Sequence, residues 1–141
     1  MKNRILGGSI AAIAILAASA SFAEEVKMKA DLSAAQEVPP NQSAGKGTAD
    51  ITFESVAKKL SWTVNHSGLS GPATAAHFHG PAEPGKNAGV AVPIPNQATS
   101  PVTGSATLTD AQAADLTAGK YYVNIHTAAN PGGEIRGQVT K

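Results

Sequence analysis

Turn-forming glycine and proline interrupt residues 24–141 at short intervals, and the stretches between them alternate apolar, often β-branched residues with polar ones. That pattern leaves little room for helices and points to short strands joined by turns, as in a β sandwich or barrel. The 118 residues from 24 to 141 suffice for one compact domain with its own core and are too few for two.

What precedes them has a different character. Lys2 and Arg4 lead into an apolar run from Ile5 to about Ala18, and small residues follow as far as Ser21-Phe22-Ala23. This is the layout of a signal peptide, with cleavage after Ala23 favoured over a second site at Ala18-Ser19-Ala20. Residues 1–23 are therefore expected to be a leader, and 24–141 a domain released to the periplasm or secreted. The apolar run falls short of the roughly 20 residues that span a bilayer, so no membrane insertion is expected once the leader is removed. Loss of Lys2 and Arg4 reduces the 11 basic residues to 9, against 10 acidic ones. Arg136 is then the sole arginine and there is no basic run, which argues against a nucleic-acid partner. The lack of cysteine removes both disulfides and thiolate ligands. Any metal would have to be held by imidazole, carboxylate, amide or thioether.

Period-two alternation predicts strands over about 26–32, 48–54, 59–65, 73–79, 90–95, 102–108, 121–127 and 134–140. Val26, Met28, Ala30 and Leu32 share one face of the first. Ile51 and Phe53, and then Leu60, Trp62 and Val64, point inward from a hairpin that turns across Glu54–Lys58. Met28 is assigned to the core rather than to a ligand set. Glu37–Gly47 and Gly80–Gly89 carry the turn formers of connecting loops. One helix is expected, 109–116, with Thr109 as N-cap and Gln112 completing a capping box. The expected architecture is an all-β Greek-key antiparallel sandwich or barrel, immunoglobulin-like or like Cu,Zn superoxide dismutase.

Three motifs in order, Ala75-Ala-His-Phe-His-Gly-Pro-Ala82, Tyr122-Val-Asn-Ile-His-Thr127 and Asn130-Pro-Gly-Gly-Glu-Ile-Arg-Gly-Gln138, resemble the CHRD (chordin) domain family. So do the opening Leu32-Ser-Ala-Ala-Gln-Glu-Val-Pro-Pro40 and the central Leu60-Ser-Trp-Thr-Val64. The resemblance spans nearly all of 24–141 and implies an extracytoplasmic β domain, here a small exported member of bacterial type. It bears on fold and location more than on activity. The cysteine-rich modules with which chordin is associated in growth-factor binding have no counterpart here.

The chain has four histidines, His66, His77, His79 and His126. Successive strand residues point to opposite faces. With Phe78 in the core, His77 and His79 face away from it; with Val123 and Ile125 in the core, Tyr122, Asn124 and His126 do the same. All three histidines are thus expected on a sheet exterior. Setting Ile125 opposite Ile135 and Val123 opposite Gly137 registers the last hairpin. It then places Asn124 across from Arg136, Tyr122 across from Gln138, and His126 across from Glu134, with Cβ atoms about 4.5–5.5 Å apart. His66 falls on the core side of a strand end and is expected to be structural.

If 73–79 lies beside 121–127, then His77, His79 and His126 can converge on one ion, with Glu134 as a fourth ligand or an acceptor behind the ligands. Three imidazoles suit copper first and zinc as the alternative. A His-x-His pair joined by a distant histidine is also the ligand style of copper in Cu,Zn superoxide dismutase, an analogy of pattern only. The structural disulfide and bridging-histidine zinc site of that enzyme are missing. The function expected is metal capture, buffering or delivery outside the cytoplasm. Two other classes remain: a non-catalytic adhesion or interaction module with a protein partner and structural histidines, and a copper-dependent redox enzyme. No residues are assigned to catalysis, because a cysteine nucleophile, a Gly-x-Ser-x-Gly elbow and a phosphate-cradling glycine loop are all missing.

Overall fold

A computed structural model describes residues 15–141, so the first fourteen residues of the expected leader lie outside the described part. Strands β1 (Glu25–Ser33), β2 (Lys46–Glu54), β3 (Lys59–Ser67), β4 (Ala73–His79), β5 (Val90–Pro93), β6 (Val102–Thr107), β7 (Tyr122–Thr127) and β8 (Ile135–Gln138) are joined by loops and one helix, α1 (Asp110–Thr117). The strands follow the order β5-β4-β7-β8-β1-β2-β3-β6 with antiparallel pairing throughout, forming a nearly closed barrel or sandwich. The chain crosses from β3 at one side to β4 at the other and returns from β5 to β6, which is the over-and-back path of a Greek key.

Each expected strand is present, with ends moved by a few residues. The closing strand is shorter than alternation implied: its ladder stops at Gln138, and Thr140 makes only an isolated bridge to Lys29. Helix α1 begins as the capping box dictates. Thr109 Oγ1 accepts from the Gln112 amide at 3.2 Å, and the Gln112 side chain accepts from Thr109 N at 3.0 Å. A single 3-10 turn at Ala34–Gln36, which alternation could not reveal, closes β1.

Strands β1, β2 and β3 bury every second residue and leave the rest wet. Their apolar face, with Leu60 and Val64 wholly enclosed, meets Phe78, Val123 and Ile135 in one core, and Trp62 packs edge-on against Phe78 at 5.3 Å between ring centroids. Met28 lies in this core as expected. Gly137 is where β8 comes closest to β1, since a Cβ there would collide with the Asp31 backbone.

On the other half of the sheet, the expected exterior is not an exterior. β7 is buried on both faces: Tyr122 and Asn124 are as enclosed as Val123 and Ile125. The reason is that two loops fold over β4, β7 and β8. One contains Glu37, and the other runs from Gly80 to Gly89; Asn87 Nδ2 ties them together by donating to the Val38 carbonyl at 3.2 Å. Carbonyls of the covering loop accept from several of the enclosed side chains, Ala88 O from His79 and Tyr122 and Lys86 O from Arg136, which offsets part of the cost of enclosing them.

Candidate metal centre

The last hairpin has the register that core matching predicts: Tyr122 opposite Gln138, Val123 opposite Gly137, Asn124 opposite Arg136 and Ile125 opposite Ile135. The adjacency that sequence could only suppose is also present. β4 pairs with β7, setting Ala75 opposite His126, His77 opposite Asn124 and His79 opposite Tyr122. Because Ala75 has no side chain beyond Cβ, it leaves room for the His126 ring.

His77, His79 and His126 therefore meet. One ring nitrogen from each lies within 4.8 Å of the other two, and His77 Nδ1 is 3.3 Å from His126 Nε2. Three nitrogens bound tetrahedrally at 2.0–2.1 Å from an ion would stand about 3.4 Å apart, close to the 3.3 Å between His77 Nδ1 and His126 Nε2. Two rings are already oriented by backbone carbonyls. His79 Nδ1 donates to Ala88 O and His126 Nδ1 to Pro131 O, each at 2.9 Å. A carbonyl only accepts, so in the neutral rings the lone pair sits on Nε2. On His79 that Nε2 is buried and has no hydrogen-bond partner among the described residues.

Burial, then repulsion from His126, pushes His77 below the ordinary histidine pKa. Burial lowers His79 too; the Ala88 carbonyl opposes this, and the charges of His77, His126 and Arg136 reinforce it. Both effects favour the neutral form that metal binding requires.

The Glu134 carboxylate makes its hydrogen bonds away from the His126 ring. Gly133 takes a φ of +130°, a conformation open to glycine, and the chain enters β8 with the Glu134 carboxylate turned toward Thr127. There, wholly enclosed, it accepts hydrogen bonds from Ser70 N at 2.9 Å, Ser70 Oγ, Thr127 Oγ1 at 2.9 Å and Asn130 Nδ2 at 2.8 Å. It joins the 68–72 and 127–134 segments and stands outside the trio of rings. His66 is structural as expected: its Nε2 lies 2.9 Å from Gln97 O and 3.1 Å from Thr99 O.

A family model for the CHRD domain matches residues 28–139. The chain belongs to the CHRD family. CHRD domains are β-rich and typically extracellular, and no helix among the described residues is long and apolar enough to cross a membrane. No curated protein and no solved structure matches the chain.

The polar layer of this CHRD domain also contains Glu37, which follows the 3-10 turn Ala34–Gln36. Its carboxylate, 4% exposed, accepts from Asn124 Nδ2 and lies 3.3 Å from Arg136 Nη2. Burial raises the Glu37 pKa above the usual carboxylate range, against the lowering effects of Arg136 and the Asn124 hydrogen bond. Arg136 is held further by Asn87 Oδ1 at 2.7 Å and Lys86 O at 3.2 Å. The register placed Arg136 on this face, but the face was expected to be open to water, where an arginine needs no carboxylate partner. Arg136→Met leaves that carboxylate buried and unpaired and should cost about 3–5 kcal/mol in urea unfolding, with most of the loss recovered in the Arg136→Met/Glu37→Leu double variant. A single-variant loss below about 1 kcal/mol would contradict the pairing.

Proposed function

We propose that the chain is an exported metal-binding protein that holds one copper ion, or in its place zinc, through His77, His79 and His126, for capture, buffering or delivery outside the cytoplasm. The supporting observation is the convergence of three imidazoles from β4 and β7, with His79 Nε2 buried and without a hydrogen-bond partner among the described residues. A buried polar atom without a partner calls for an explanation, and a metal ion provides one. The donor set is all nitrogen, which copper(II) binds more tightly than zinc(II) in the ordinary order of divalent stabilities. The signal-peptide layout of residues 1–23 and the family's usual location favour action beyond the cytoplasm.

The direct test is to titrate residues 24–141 with Cu(I), Cu(II) and Zn(II) and to follow stoichiometry and thermal stability. One equivalent of copper should be taken up saturably. A ligand at 100 times its Kd stabilises the native state by about 2.7 kcal/mol, which at this chain length raises Tm by on the order of 10 °C. Uptake that is non-stoichiometric and leaves Tm unmoved would favour an interaction module with structural histidines.

A further inference from the structure

Behind His79 stands a stack that neither the metal reading nor the fold requires. The Tyr122 ring lies parallel to the His79 ring, with 4.8 Å between centroids and 2° between planes. Arg136 Cζ sits 4.0 Å from the centre of the same tyrosine ring. Because β7 lies between β4 and β8, His79 comes from one side of Tyr122 and the guanidinium from the other. The stack is tied at both ends: Arg136 by Glu37, Asn87 and Lys86, and Tyr122 by its hydroxyl, which accepts from Ala88 N at 3.1 Å and donates to Ala88 O at 3.2 Å. That carbonyl is the acceptor that fixes His79 Nδ1. The plane of the His79 ring and the nitrogen that keeps its proton are therefore both set through Tyr122 and one peptide unit of the covering loop.

Resting on the three-histidine reading, we infer that Tyr122 and Arg136 are positioning residues for His79. They clamp its ring so that Nε2 faces His77 and His126 before any ion arrives. Groups that orient a metal ligand typically contribute 10–100-fold to metal affinity. A rigid donor also avoids the ordering cost that a free rotor would incur on binding.

Two measurements test this. Copper affinity is compared in wild type, Tyr122→Phe, Tyr122→Leu and Val64→Ala, the last being a core variant away from the histidines that serves as a control for lowered stability. Tyr122→Phe keeps the aromatic stack but releases Ala88 and should lose less affinity than Tyr122→Leu, which removes both and should lose 10–100-fold. Val64→Ala should lower Tm without changing affinity. Equal affinity in wild type and Tyr122→Leu, or an equal loss in Val64→Ala, overturns the inference. The second measurement needs no metal: imidazole nitrogen shifts of the metal-free wild type should show His79 as a single Nδ1–H tautomer, becoming a mixture in Tyr122→Leu. A tautomer mixture in the wild type overturns the clamp whether or not the Leu variant folds. Failure of wild type to take up metal, with the single tautomer intact, would count against the proposed function and leave the clamp standing.

Discussion

His77→Ala, His79→Ala and His126→Ala should each lower copper affinity on the order of 100-fold or more and abolish the metal-dependent rise in Tm. Loss of a group that merely orients a ligand typically costs 10–100-fold, and loss of one of three ligands should cost at least as much. The three variants will differ in another respect. His79 is buried against Tyr122, whereas His77 and His126 are only half-buried. His79→Ala should therefore also reduce the stability of the metal-free protein, by about 1–3 kcal/mol through lost packing, and the other two should affect it less. His66→Ala is the control, since its ring is taken up by the Gln97 and Thr99 carbonyls and metal affinity should stay within about twofold of wild type. Circular dichroism of each metal-free variant separates misfolding from ligand loss. Identical copper responses in wild type and the three site variants would sink the proposal.

Glu134 should dominate the acid behaviour of the domain. Burial by itself would raise the pKa of this carboxylate, but the combined hydrogen bonds of Ser70, Thr127 and Asn130 outweigh it and hold the pKa at about 2, against an ordinary value of 4.5. A folded pKa below the unfolded one means stability that is fully present above about pH 4.5 and drains away as pH falls toward 2. The difference corresponds to about 3 kcal/mol. Urea unfolding at pH 7, 4.5, 3.5 and 2.5 should show this loss in the wild type. Glu134→Gln should flatten that part of the profile, and should be less stable at pH 7 because an amide offers one acceptor oxygen where the carboxylate offers two. A parallel decline in both proteins below pH 4.5 would show that other groups carry the acid response.

Much of this structure was legible in the residues. Alternation placed Leu60, Trp62 and Val64 inside, and the requirement that core face core fixed the register of the last hairpin, because a slip by one residue reverses every side chain. Thr109 and Gln112 announced their helix through a local hydrogen-bond pattern that needs no tertiary context. The neighbouring of β4 and β7 was harder, since non-consecutive pairing leaves no local trace. The enclosure of Tyr122 and Asn124 was not foreseeable from strand period, which tells inside from outside only when one face is open to water. The hydrogen-bond partners of Glu134 were out of reach of the alternation too, since Ser70 lies 64 positions away in a separate loop. The Glu37–Arg136 pair joins residues 99 positions apart across a loop fold, and only coordinates could match them.

Strand β7 carries Val123 and Ile125 toward the greasy interior and Tyr122, Asn124 and His126 toward the polar chamber, so one backbone divides two solvents that cannot be exchanged. A chain that mispaired β7 by a single step would drive an imidazole into oil and strand an isoleucine among carbonyls. The tight approach of Gly137 to Asp31 helps pin that alignment from the neighbouring strand. The three imidazoles, drawn from two strands that are not consecutive in the chain, therefore come together only once the chain has folded in its proper alignment.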